Sequence, residues 1–170
     1  MPKRVIVIFP QFEQMHLIDG FRRKFDPLAE QIKPHITLVF PFESELSTDQ
    51  LRAHVQQVVH NFEPFNIQLQ GVTGHMSEYL FLNVKRGNDQ VIELHDRLYT
   101  GPLARYLLPE FTYTPHLTVG RVDNEAAFRE ALRSAATLNA TYETVVRAIT
   151  VYCIEPDTTR TIEFVVRLSS

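Results

Sequence analysis

One five-residue pattern occurs twice in the chain, and this repetition constrains the fold more than any other feature. Pro-His-Ile-Thr-Leu occupies positions 34–38, and Pro-His-Leu-Thr-Val occupies positions 115–119. Each copy is typical of a β-strand that begins just after a proline, because β-branched and apolar residues follow. The second histidine follows the first by 81 positions (116 minus 35), which is too long a period for a solenoid repeat. This spacing favours two similar lobes that face each other.

The segments around the two copies repeat as well. Apolar and alternating runs predict strands, and the segments between them show the apolar period of amphipathic helices. The chain therefore follows a β-α-β-α-β order twice, and the run VVRAITVYCI at 145–154 is read as one strand. We predict an α+β fold with two mostly antiparallel β-sheets and outer helices, arranged about a pseudo-twofold axis and a central cleft. One lobe is expected mainly from 1–75 and the other mainly from 76–170, with an exchange of strands between them left open.

Composition excludes several classes of protein. The chain has 170 residues, of which 44% are apolar and 22% are charged, as in an ordinary globular domain. A formal net charge of −3 gives no general attraction for long polyanions, which argues against non-specific binding of duplex nucleic acid. The single cysteine, Cys153, excludes an internal disulfide, and its apolar surroundings predict a buried, reduced thiol. No apolar run suits a signal peptide or a membrane span, so a cytoplasmic protein without a membrane partner is expected.

Strand alternation gives the repeated pattern a chemical meaning. Successive side chains of a strand point to opposite faces, so His35 and Thr37 share one face while Ile36 points into a core. The same alternation places His116 and Thr118 together. Two such strands, brought side by side, would direct two imidazoles and two hydroxyls into one cleft.

That set of groups suits the cleavage of a phosphodiester. An imidazole with a pKa of about 6.5 exchanges protons at neutral pH, and two imidazoles can divide the roles of general base and general acid. Threonine hydroxyls can donate to the non-bridging phosphate oxygens during in-line attack. No metal and no cofactor is required by these groups. A structural duplication without function is the alternative interpretation of the pattern.

The double motif resembles the 2H phosphoesterase superfamily, whose members carry two His-apolar-Thr/Ser-apolar motifs. Within it, the chain is most similar to the bacterial 2′-5′ RNA ligase and cyclic phosphodiesterase branch, over essentially its whole length. The resemblance implies that His35 and His116 form the acid–base pair and that Thr37 and Thr118 hold phosphate oxygens. It also implies metal-independent hydrolysis, or reversible ligation, of 2′,5′ or 2′,3′-cyclic phosphodiesters in nucleotides or RNA ends. It favours His116 as base and His35 as acid in hydrolysis, although the residues themselves do not distinguish the two.

Three further residues are candidates for substrate binding. The resemblance implies that Arg121, five positions after His116, contacts phosphate, although strict alternation would require a bend at Gly120 to bring it there. Phe40 holds the equivalent position in the first motif, and Phe9 ends the first strand. Either ring could stack on a base, whereas alternation groups Phe40 with the core residues. The run Phe-Pro-Phe after the first motif departs from the Leu-Gly turn of many relatives. The resemblance therefore does not specify the rim of the pocket or the substrate that it selects.

Other features suggest less specific functions. The remaining histidines lack the spacing of a zinc site, and the basic cluster Phe21–Lys24 is more typical of a solvated helix face than of a nucleic-acid contact. A non-catalytic module that binds a nucleotide or RNA end in the same cleft is the alternative function. A phosphoesterase for another substrate, such as ADP-ribose cyclic phosphate or a nucleotide conjugate, also stays open. No stable protein partner is implied, and a monomer is expected because each lobe has its partner within the chain.

Overall fold

The computed structural model describes all 170 residues, which form eight β-strands and four α-helices. The strands are β1 Lys3–Ile8, β2 Ile36–Glu43, β3 Phe65–His75, β4 Tyr79–Arg86, β5 His116–Arg121, β6 Tyr142–Val146, β7 Ala148–Ile154 and β8 Arg160–Arg167. The helices are α1 Met15–Phe25, α2 Thr48–Val59, α3 Asn88–Leu98 and α4 Glu125–Ser134, with short 3-10 helices at Gly101–Tyr106 and Ala135–Leu138. None of the helices combines the length and apolar character needed to cross a bilayer.

All eight strands belong to one antiparallel sheet in the order β6-β3-β4-β5-β2-β1-β7-β8. The two motif strands, β2 and β5, are neighbours at the centre of the sheet, and a single residue pair, Ile36 with Leu117, joins them. The predicted α+β class with antiparallel strands is confirmed. The two expected sheets are four-stranded halves of one sheet, joined at this narrow seam. We call them the first-motif half (β2-β1-β7-β8) and the second-motif half (β6-β3-β4-β5).

The chain crosses the seam twice, so the halves of the sheet do not coincide with the halves of the sequence. β3 to β6 form the second-motif half, and the C-terminal strands β7 and β8 return to pair beside β1. The run 145–154, read as one strand, is two strands, because the chain leaves β6 at Val146 and enters β7 at Ala148. The break at Arg147 is the second crossing, and only long-range pairing determines where it falls.

Each motif strand is covered by the helix that precedes the other motif. α1 packs against β5, and α3 packs against β2. α2 lies against β8, and α4 lies against β3 and β4. This exchange gives the two halves an approximate twofold relationship.

Local sequence determines where the outer helices begin. Ser47 precedes α2 and accepts a hydrogen bond from the Gln50 backbone N–H, while the Gln50 side chain accepts one from the Ser47 N–H. This reciprocal capping box satisfies two backbone donors that the first turn of a helix leaves free. The apolar stripe of α2 is then buried against the sheet, through Leu51, Val55, Val58 and Val59.

The alternate residues of the motif strands anchor them in the main core. Ile36, Leu38, Leu117 and Val119 are fully buried in a cluster of 36 residues. Burial of one such side chain contributes about 1.5–3 kcal/mol to folding. The apolar positions of the motifs therefore hold both strands rigidly beneath the cleft.

Candidate active site

The four motif side chains share one face of the sheet: His35, Thr37, His116 and Thr118. Residues paired across antiparallel strands point to the same side, so Ile36 and Leu117 lie together in the core. Their sequence neighbours therefore point to the opposite face, and all four motif side chains are half-buried there. In the register of this pair, each histidine lies opposite the threonine of the other motif.

Both imidazoles are oriented by the same hydrogen bond. His35 Nδ1 donates to the Lys33 carbonyl at 2.8 Å, and His116 Nδ1 donates to the Thr114 carbonyl at 2.6 Å. Because a carbonyl oxygen only accepts, Nδ1 carries the proton in each ring and Nε2 carries the free lone pair. Neither Nε2 atom has a hydrogen-bond partner in the protein. Each ring therefore keeps its Nε2 available for proton transfer.

The surroundings keep both imidazoles neutral at pH 7. Burial lowers the pKa of His35 to about 4, against the opposing effect of the Lys33 carbonyl, and the positive charges of Arg121 and Arg22 lower it further. Burial also lowers the pKa of His116, and the charges of His75 and Arg121 act in the same direction. At pH 7 both rings are therefore unprotonated at Nε2, and each binds a proton less tightly than a free imidazole does.

A β-bulge places Arg121 on the same face as the motif side chains. Leu80 of β4 pairs with Gly120, but Phe81, the next residue of β4, pairs with Thr118. Val119 is therefore an extra residue of β5. Val119 and Gly120 are consecutively buried, and Arg121 is again half-exposed. The bend that alternation requires at Gly120 is provided by this bulge.

The first motif strand contains a corresponding bulge. Consecutive residues of β1 pair with Thr37 and Val39, which leaves Leu38 as the extra residue. Leu38 and Val39 are both buried, and Phe40 is half-exposed, as Arg121 is in the second motif. Phe40 therefore does not follow the strict alternation that would group it with the core. Its backbone N–H donates to the hydroxyl of Tyr99 at 3.0 Å.

Aromatic rings pack against His35. The edge of Phe9 approaches the imidazole at 5.9 Å between ring centroids, and Tyr152 approaches it at 6.4 Å. Phe9, a predicted binding residue, therefore contacts a motif histidine directly. Tyr152 was not predicted, because its place beside His35 depends on the pairing of β7 with β1.

A different aromatic group packs against His116. Phe81 of β4 stacks on the imidazole with 3.6 Å between ring centroids, and His75 stacks on Phe81 at 5.1 Å. Neither residue stands out in the sequence. The alternation of Tyr79 and Phe81 along β4 is the only local signal, and it identifies no partner strand.

An ionic cluster connects the end of α1 to Arg121. The Asp26 carboxylate accepts from Arg121 Nη1 at 2.7 Å and from Arg22 Nε at 3.0 Å. Burial alone would raise the pKa of Asp26, but the Arg121 charge and the Leu28 N–H, followed by Arg22, hold it below its usual value. The basic cluster at 21–24 is therefore not simply a solvated face. Arg22 is only 1% exposed, and the four-residue spacing to Asp26 was the available signal.

A depression of about 560 Å³ adjoins Arg121, and both basic and acidic side chains line it, including Arg23, Lys24, Glu78 and Asp123. A second cavity of about 410 Å³, lined by His54, Arg97 and neighbouring residues, involves none of the motif residues.

No group of three or more His, Cys, Asp or Glu side chains is arranged to hold a metal ion.

Comparison with known proteins gives consistent matches. The family model described as "2'-5' RNA ligase superfamily" matches residues 9–158, which include both motifs. A protein of Geobacillus kaustophilus named "Putative phosphoesterase" is 31% identical over 119 residues, covering 68% of this chain and 67% of its own. A protein of the same name from Bacillus licheniformis is 24% identical over 144 residues, covering 83% of each chain.

Solved structures share the fold at low sequence identity. Escherichia coli LigT, crystallised with 3′-AMP, superposes with a TM-score of 0.67 over 100% of both chains, at 17% identity. A protein from Thermus thermophilus superposes with a TM-score of 0.65 over 98% of this chain and 97% of its own, at 14% identity. These likenesses concern the fold.

Proposed function

The chain belongs to the 2′-5′ RNA ligase superfamily, and we propose that it is a metal-independent phosphodiesterase of nucleotides or RNA ends. Its substrates are 2′,3′-cyclic or 2′,5′ phosphodiesters, which it hydrolyses or, in the reverse direction, ligates. One observation carries this proposal: two imidazoles share a face of the sheet, each with Nδ1 bound to a backbone carbonyl and Nε2 free. Relatives named as phosphoesterases and the fold shared with LigT support it.

In hydrolysis, one imidazole Nε2 takes a proton from water as the water oxygen attacks phosphorus. The bond to one ribose oxygen breaks, and the other imidazole, protonated, donates its Nε2 proton to that oxygen. The resemblance favours His116 as base and His35 as acid, and ligation reverses these roles. The base ends the step protonated and the acid ends it neutral, so proton exchange with solvent restores the pair, and no oxidation state changes.

The hydroxyls and the guanidinium stabilise the charge that develops on phosphate. Thr37 and Thr118 each lie opposite a motif histidine in the register of the Ile36–Leu117 pair, and their hydroxyls donate to the non-bridging oxygens. Arg121 returns to this face through the β5 bulge and adds a charge-assisted contact. An anionic phosphate also raises the pKa of a neighbouring imidazole, which supplies the protonated acid that the free protein lacks.

The nucleotide character of the substrate rests on aromatic side chains beside the phosphate site. Phe9 borders His35, and Phe40 occupies the place in the first motif that Arg121 has in the second. A base that stacks on either ring would gain about 1–3 kcal/mol. The presence of 3′-AMP in the LigT crystal is consistent with a nucleotide product at such a site.

A substrate panel tests the proposal. The protein is incubated with 2′,3′-cyclic nucleotides and 2′,5′-linked dinucleotides, with 3′,5′-linked dinucleotides as the comparison, in the presence and absence of EDTA. We expect turnover that EDTA does not abolish and that is lost in the His35→Ala, His116→Ala double variant. Full activity of the double variant would contradict the proposal. Binding without turnover across the panel would favour the non-catalytic binding module.

A further inference from the structure

A single buried carboxylate, Asp26, holds two guanidinium groups beside the cleft. Its Oδ2 accepts from Arg22 Nε at 3.0 Å, and its Oδ1 accepts from Arg121 Nη1 at 2.7 Å. The side chains of Asp26 and Arg22 are 0% and 2% exposed, whereas that of Arg121 is 25% exposed. One carboxylate cannot neutralise two cations. The cluster therefore carries one surplus positive charge next to the motif histidines.

No second carboxylate forms a salt bridge with Arg22 or Arg121. The two imidazoles that face it are neutral, and the charge itself helps to keep them so. Glu78 and Asp123 line the depression beside Arg121, but neither forms a salt bridge with either arginine. A positive charge that is largely buried without its own counter-ion is unfavourable, so the folded site favours the arrival of an anion.

Arg22 has free N–H donors that such an anion could accept from. Its Nε is used by Asp26, while its Nη1 and Nη2 make no hydrogen bond in the protein. The positive charge of Arg22 lowers the pKa of His35, and that of Arg121 lowers the pKa of both His35 and His116. The Arg22 guanidinium, from α1, and the Arg121 guanidinium, from the end of β5, thus meet at Asp26.

We propose that Arg22 is a second phosphate-binding residue of this site and that Asp26 is the positioning residue for both Arg22 and Arg121. This inference rests on the proposed function, which supplies the phosphate. The forked donors of a guanidinium match the oxygens of a phosphate, and a shared buried carboxylate fixes both forks before the substrate binds. The phosphate group is then the anion that the cluster lacks.

Calorimetric titration with inorganic phosphate at low ionic strength tests the inference without requiring turnover. Arg22→Met and Arg121→Met should each weaken phosphate binding about tenfold, and Asp26→Asn should weaken it as well. Arg129→Met is the control, because Arg129 lies on the outer helix α4, outside the depression beside Arg121, with its side chain 68% exposed and paired with Glu125. It should bind phosphate as the wild type does. Wild-type affinity in Arg22→Met would overturn the inference.

Histidine titrations by NMR test whether the charge of Arg22 reaches the cleft. Arg22→Met should raise the pKa of His35 and leave that of His116 unchanged, whereas Arg121→Met should raise both. A pKa of His35 that is the same in Arg22→Met and in the wild type would overturn the inference.

The wild-type protein provides a measurement that needs no variant to fold. On addition of phosphate, the side-chain Nε–H signals of Arg22 and Arg121 should shift, and that of Arg129 should not. Absence of a shift at Arg22 would overturn the inference. Phosphate binding through Arg22 in a protein that cleaves no phosphodiester would instead refute the proposed function and leave the phosphate site intact.

Discussion

The ring of Phe81 lies on the imidazole of His116, with 3.6 Å between the two ring centroids and 23° between their planes. This stack covers one face of the ring while the Thr114 carbonyl holds its Nδ1. His116 is therefore oriented from two directions, and its pKa is lowered chiefly by burial.

Removal of the stacked ring tests this relationship. Phe81→Leu exposes the imidazole to water, so the pKa of His116 should rise while that of His35 stays unchanged. We expect kcat/KM to fall about tenfold, because an aromatic pair contributes about 0.5–1.5 kcal/mol beyond area burial. NMR titration and steady-state kinetics measure the two effects. Phe128→Leu, on the outer helix α4, is the control and should alter neither.

Stability should decline as the pH falls from 7 towards 5. The pKa of His35 is about 4 in the folded protein, below the value of 6.5 expected when unfolded, so the unfolded chain binds its proton first. The contribution of neutral His35 to the free energy of unfolding is complete above the unfolded pKa and is lost as the pH falls towards 4. At 1.36 kcal/mol per pH unit, the loss is roughly 2 kcal/mol at pH 5. Urea unfolding should show this slope in the wild type and a smaller one in His35→Gln. Equal slopes would contradict the account.

A second ion pair is structural and remote from the motifs. Arg4, on β1, forms two hydrogen bonds to the Glu163 carboxylate of β8, at 2.8 and 2.9 Å, and Thr48 of α2 donates to the same carboxylate. Hydrogen bonds from Arg4, opposed by burial, lower the pKa of Glu163 to about 2. Cys153, half-buried rather than fully buried, also donates to Glu163.

Loss of this carboxylate should destabilise the fold without changing the chemistry. Glu163→Gln leaves the buried Arg4 without its counter-ion, which costs about 3–5 kcal/mol in comparable pairs. Chemical denaturation should show this loss, while kcat and KM at a permissive temperature should match the wild type. A selective loss of kcat in a fully folded variant would show that the network serves the site.

The bulge in β5 should depend on Gly120. A Cβ at this position would lie 3.1 Å from Leu80 Cδ1, and Leu80 is fully buried with little room to move. Gly120→Ala should therefore shift β5 and lower kcat/KM about tenfold through Arg121. In contrast, Gly20→Ala in α1 meets no atom within 4 Å and should stabilise the protein by about 0.5–1 kcal/mol. Unchanged kinetics in Gly120→Ala would exclude this role of the bulge.

The sequence predicted the parts of the fold that local patterns encode. Alternation along the motif strands placed His35 and His116 on faces opposite to Ile36 and Leu117, and capping residues located the start of α2. Alternation failed at Phe40, where the bulge around Leu38 changes the face, because a bulge is defined by the register of the neighbouring strand.

The remaining features depend on contacts distant in the sequence. The single sheet, the two crossings of the seam and the partners of each histidine follow from strand order, which no local pattern specifies. Arg22 carries the same charge as exposed Arg23, and apart from its four-residue spacing to Asp26 the packing of α1 against β5 distinguishes the two. Phe81 and Tyr152 likewise reach the histidines through pairing alone.

The central claim is that His35 and His116 act on one phosphate, and the kinetics of His35→Ala, His116→Ala and the double variant on one cyclic phosphodiester test it most directly. General acid–base groups contribute about 10²–10⁴-fold each, and groups that act as a unit are not additive. We predict a loss of that size in kcat for each single variant, and a double variant little slower than the slower single one. Wild-type kcat in either single variant would contradict the account.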